Sequence, residues 1–121
     1  MTKHIKAPAI IKAQGRVPKR IEEFIGRVNT GTPNVSVARM KSPAGWIEPG
    51  QKPEFDEYTV VLQGLLRVNT NDEIIDVKAG EAIIVEKGDW VQYSSPTEDG
   101  SEYISVCIPA FSAETVHRDE G

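Results

Sequence analysis

Cysteine is nearly missing from this chain. Cys107 stands alone, so no disulfide can form within it, and a reducing, cytoplasmic setting is the expectation. Histidine is almost as scarce, with His4 and His117 near opposite ends. No apolar run approaches the ~20 residues a membrane-spanning helix needs, so no membrane partner is expected. The opening MTKHIKAPAIIKAQG has no compact apolar stretch followed by a small-residue cleavage site, so no signal peptide is read. An excess of basic charge is also lacking. The net charge is −4, which argues against nucleic acid as a partner, since phosphate calls for a basic field. There is no glycine-rich phosphate loop, no Ser-His-Asp set and no Cys-His pair.

What is present is punctuation. Ten glycines and eight prolines are spread over 121 residues, a length that suits one domain. Short apolar runs between them read as strands and turns. Residues 1–34 read as an arm, able to pair as an edge strand, followed by a short helix. The helix rests on Ile21, Phe24, Ile25 and Val28, at helical spacing in Arg20–Val28. Strands are expected at Val35–Met40, Tyr58–Leu62, Leu65–Val68, Ile74–Val77, Ala82–Val85, Trp90–Tyr93 and Tyr103–Ile108. Leu65–Val68 and Ile74–Val77 flank a polar turn and read as a hairpin. Residues 35–108 form the core, and 109–121 a tail with one helical turn capped by Ser112. The fold class is all-β, a sandwich or closed barrel.

Two stretches carry a specific pattern. In the first, Gly45 is followed after five residues by Gln51-Lys52-Pro53, then after three by Glu57 and after six by Gly64. In the second, Gly80 is followed after five residues by Glu86-Lys87-Gly88, then after two by Val91 and after three by Ser95. Order and spacing resemble the two signature motifs of the cupin superfamily. The resemblance implies a double-stranded β-helix, or jelly-roll, barrel. In metal-binding cupins, two histidines and a glutamate of the first motif and a histidine of the second hold one metal ion. Those positions are here Gln51, Pro53, Glu57 and Val91. Proline and valine offer no side-chain ligand, and an amide is a poor one for a transition metal. No metal site of the usual kind, and no cofactor, is therefore expected. The wording Pro53-Glu-Phe-Asp-Glu-Tyr58 also resembles ethanolamine-utilisation-type cupins, which are similarly poor in histidine. The resemblance further implies a homodimer, made through edge strands or the arm of residues 5–19.

Strand alternation places Glu57, Thr59 and Val61 on one face, and Val91 and Tyr93 on one face of a later strand. With Gln51 these six residues are the candidate ligand-binding set. Glu57 is the candidate acid/base, because a carboxylate in an apolar barrel is desolvated and its pKa rises. The plainer alternative is a buried Glu57 satisfied by Gln51 or Tyr93. Tyr93 is a second catalytic candidate, or simply a lining aromatic. Glu48, Glu54, Asp56, Glu57 and Glu86, with His117 folding back over the mouth, are an acidic set that would suit a hard cation. Solvated loop carboxylates are the favoured reading for Glu48, Glu54 and Asp56. Arg39 is read as outward rather than an anion anchor, Trp46 and Trp90 as packing, and Cys107 as an inert buried thiol. The expected function is binding of a small molecule around Glu57. The alternative is an isomerase-, epimerase- or lyase-type enzyme, metal-independent or using an oxygen-ligated metal, with Glu57 as acid/base.

Overall fold

The computed structural model describes residues 2–13 and 17–119. The remaining residues of the expected arm and tail (1, 14–16, 120 and 121) lie outside the described residues. Nine strands follow in chain order: β1 Ala9–Ile11, β2 Arg20–Ile25, β3 Ser36–Ser42, β4 Trp46–Ile47, β5 Asp56–Thr70, β6 Ile74–Lys78, β7 Ala82–Val85, β8 Val91–Ser95 and β9 Ser101–Ile108. They form one curled antiparallel sheet of jelly-roll-like cupin topology, in the order β1-β2-β3-β9-β5-β8-β4. The long strand β5 organises it. Its first half pairs with β9 and β7, and its second half with β8 and β6. The β5–β6 pairing is the expected hairpin, with Leu66 opposite Val77 and Val68 opposite Ile75.

The arm pairs as an edge strand, Ala9–Ile11 against Ile21–Glu23. The helix expected over Arg20–Val28 is not there: β2 takes its place. The register of β2 against β3 slips between Glu23 and Ile25. A bulge adds one residue to a period-two strand, and the slip imitates helical spacing in the sequence. Val28, expected on the buried face, is 67% exposed in the following turn. The helical turn at Ser112 is likewise absent, and no helix occurs among the described residues. The Ser112 hydroxyl accepts the amide of Glu114 and its carbonyl accepts the amide of Thr115. That single turn stops because the chain then runs extended along residues 50–54. Glu54 donates to the Thr115 carbonyl, Lys52 to that of His117, and Asp119 to that of Gly50.

Tyr58–Leu62 and Leu65–Val68, expected as separate strands, are parts of β5. Gly64 lies inside the strand at positive φ and faces Ser101 of β9. A side chain there would overlap the carbonyl oxygen of Gly100. Glycine at this place therefore permits a close approach of two backbones.

The main core gathers Trp46, Val61, Leu66, Val68, Val77, Val85, Val91, Tyr93 and Tyr103. A smaller cluster joins Phe55, Cys107 and Val116, with Phe111 edge-on to Phe55 at 5.9 Å between ring centres. The tail is thereby anchored to the end of the sheet where Glu57 lies.

Candidate functional site

The alternation of β5 decides which residues face the interior. Glu57, Thr59 and Val61 are buried, while Tyr58, Val60 and Leu62 are exposed. On β8, Val91 and Tyr93 are buried together. Gln51 is buried as well, bridged through its backbone to Val91 and Arg118. Glu57, Gln51 and Tyr93 line a cavity of about 60 Å³ beneath the tail. Thr59, Val61 and Val91 do not line it. Thr59 shares a hydroxyl contact with Ser105 at 3.1 Å, and the two valines belong to the core.

Tyr93 donates its hydroxyl proton to Glu57 Oε1 at 3.2 Å. Burial pushes the Glu57 carboxyl above its ordinary pKa, and the neighbouring Glu48 adds to this. Lys19, Ser105 and the Tyr93 hydrogen bond pull the other way without cancelling it. Burial, with Glu57 beside it, holds the Tyr93 phenol well above its usual range, so it stays protonated and serves as a donor. Burial, with Glu57 nearby, pushes the Cys107 thiol up in the same way, which disfavours the thiolate.

Four charged groups of this cavity were not read as lining it, and one of them, Glu23, is taken up by the amides of Val28 and Asn29. Lys19, at the end of the arm, brings its ammonium over the Trp46 ring at 4.1 Å and donates to the Tyr103 hydroxyl at 3.2 Å. Burial alone would lower its pKa, but Tyr103, Glu48 and Glu57 together raise it above the ordinary value. The amine is therefore held protonated. Arg118, in the tail, donates from Nη1 to Gln51 Oε1 at 2.8 Å and to Glu48 Oε2 at 3.1 Å. Glu48 is thus 6% exposed and ion-paired, which corrects its reading as a solvated carboxylate. The only early sign was a cation in each flanking segment, and nothing local says where those cations fold.

The other acidic residues do not join in. Glu54 and Glu86 are exposed, and Asp56 accepts the Lys87 amide at 2.9 Å. His117 pairs with exposed Glu54 rather than reaching Glu57. Arg39 is bound outward to Glu22 at 2.7 Å. Trp46 is core, and Trp90 donates to Asp119 at 2.9 Å. Among the described residues, no three His, Cys, Asp or Glu side chains converge to hold a metal. The family's metal does not fit the donors present: Pro53 and Val91 have none, and the Gln51 oxygen faces a guanidinium.

Comparison with known proteins agrees with this fold. The oxalate decarboxylase of Bacillus subtilis superposes with a TM-score of 0.77 at 19% identity, over 94% of this chain and 30% of that one. The EutQ protein of Clostridium difficile superposes with a TM-score of 0.64 at 20% identity, over 78% of this chain and 71% of that one. At such identities the likeness is one of fold, a cupin fold kept without its histidine-based metal site. In sequence, 101 residues are 45% identical to a Myxococcus xanthus protein named endoribonuclease YbeY, over 84% of this chain and 34% of that protein. The chain thus spans about a third of the length of that curated relative. Residues 55–121, more than half the chain and including both β5 and the Arg118 tail, match the AraC-like ligand binding domain, and the chain belongs to that family.

Proposed function

We propose that this chain is a small-molecule-binding cupin whose pocket works through its own charged side chains rather than a metal. The observation that carries the proposal is the cavity itself. Lys19, Glu48, Gln51, Glu57, Tyr93 and Arg118 meet there against apolar walls. Pockets of this composition, mostly apolar with a few converging polar groups, are the usual form of ligand sites. The membership in a ligand-binding family supports the same reading. Melting curves against a library of small polar metabolites test it. A shift of several degrees with one chemical class is the expected result, and no shift with any compound contradicts it.

A second reading has its own observation. Glu57 is hydrogen-bonded, desolvated and held toward its neutral form, which suits a general acid/base. Tyr93 would orient it, and Gln51 would help position a substrate. For any activity found, Glu57→Gln should lower kcat by at least about a hundredfold at unchanged fold. Full activity in that variant rules the role out.

The proposal extends to the rest of the chain. Residues 1–121 act as a single cytoplasmic domain, and the curled sheet closes as a double-stranded β-helix. Two copies pair as a homodimer. Exposed Tyr58, Val60, Leu62 and Ile84 on the outer face of β5 and β7 support the pairing, since an apolar patch of this kind commonly marks an interface. A monomeric mass in solution would refute it. The name of the Myxococcus protein is not carried over, since this chain matches only 34% of that protein.

A further inference from the structure

Five lysine, arginine and glutamate side chains line the pocket: Lys19, Glu23, Glu48, Glu57 and Arg118. Most of them are answered from within the protein. Glu48 and Arg118 are paired with each other. Glu23 accepts the backbone amides of Val28 and Asn29, at 3.0 and 2.9 Å. Glu57 accepts the Tyr93 hydroxyl and is held toward neutrality by burial. Lys19 differs. Among the described residues no carboxylate lies within 4 Å of its ammonium, whose hydrogen-bond acceptor is the Tyr103 hydroxyl. An ammonium has three protons to donate, and this contact uses one. The Trp46 and Tyr103 rings, 4.1 and 5.5 Å from it, stabilise a cation by their faces but accept no strong hydrogen bond. Glu48 and Glu57 stabilise the cation from beyond 4 Å, but two of its protons have no acceptor among the described residues, and an anion entering the cavity supplies one.

Resting on the reading of this cavity as a ligand pocket, we propose that its ligand is a short-chain carboxylate, bound to the Lys19 ammonium with its apolar end against Ile21, Met40 and Phe55. Three observations select this class. A cationic ligand would find the carboxylates already engaged and an ammonium of the protein in the way. A phosphate-type dianion would call for a second unpaired cation, and Arg118 is committed to Glu48 and Gln51. The cavity is small, about 60 Å³, which suits a short ligand such as acetate, propionate or butyrate. Glu57, whose carboxyl burial pushes toward its neutral form, faces the same cavity beside Tyr93.

The test is calorimetric titration of the full chain with sodium acetate, propionate and butyrate at constant ionic strength. Propionamide and propylammonium chloride serve as the neutral and cationic counterparts. Propionate should bind at least about tenfold more tightly than propionamide, and propylammonium should not compete. Lys19→Met keeps an unbranched side chain over Trp46 and removes the charge. It should lose propionate binding by about tenfold or more while leaving the melting temperature near that of the parent. The wild-type comparison of acid, amide and amine stands even if the variant fails to fold. Amide binding equal to that of propionate overturns the carboxylate assignment, as does preferential binding of the amine. Silence toward all three carboxylates, with melting shifts from other library compounds, overturns the class and leaves the pocket intact. Silence toward every compound overturns both.

Discussion

From Asp56 to Val61, β5 turns Glu57 and Thr59 toward the interior. From Leu65 to Thr70 the same strand turns Leu66 and Val68 inward. All four are buried, on one strand, against one curled sheet. The apolar half is filled, with Leu66 and Val68 inaccessible among Val77, Val91 and Tyr93. The polar half is held by hydrogen bonds, Glu57 to Tyr93 and Thr59 to Ser105, and keeps a cavity. Burial alone therefore does not mark a site. A buried carboxylate costs stability that a second Leu66 would have added, and a cavity beside it forgoes packing as well. The polar half is where the fold gives up stability, and that loss is the physical ground for proposing the ligand site there.

The joint between the halves should be the most sensitive point. Gly64→Ala forces a Cβ against the Gly100 carbonyl at a positive φ. Strain and overlap together should cost about 4 kcal/mol, read from urea denaturation. Next comes the apolar half. Leu66→Ala should cost about 3 kcal/mol, the ordinary penalty for a cavity in a closed core. Equal losses from Leu66→Ala and Thr59→Ala would erase the difference between the halves.

On the polar side, Arg118→Ala leaves the Glu48 carboxylate buried and unpaired. The cost should be about 2 kcal/mol, less than for a fully enclosed pair because Arg118 keeps some contact with water. The smallest effect belongs to Glu57→Gln, and its sign depends on pH. The folded pKa of Glu57 lies above the unfolded one. In acid both states are protonated and burial carries no ionic penalty. As pH rises past the ordinary carboxylate range the unfolded chain ionises first, and the folded state loses stability until its own carboxyl ionises. Glu57→Gln should flatten that decline, so the variant gains on the parent between acid and neutral pH. A gap that stays constant with pH would show that Glu57 does not titrate as a buried carboxyl.

The alternation along β5 and β8, and the loss of the metal donors at Gln51, Pro53 and Val91, were legible because they are local. Period-two patterning fixes which side chains face inward, and a missing imidazole is visible in the sequence itself. Three features were not legible, for different reasons. The bulge in β2 displaced a strand pattern into helical spacing at Ile21, Phe24 and Ile25. Gly64 has the composition of a strand end, yet here it serves a backbone contact inside β5. The cations of the site come from Lys19 and Arg118, near opposite ends of the chain, and meet only through the tertiary fold. Neither residue sits in a motif, so no spacing rule could have joined them to Glu57.

The most direct test of a pocket that binds by its own charges is propionate titration of the protein before and after stripping with a chelator, set beside Lys19→Met. Binding should be unchanged by the chelator and lost in the variant. Binding that disappears with the chelator, or survives in Lys19→Met, would contradict the account.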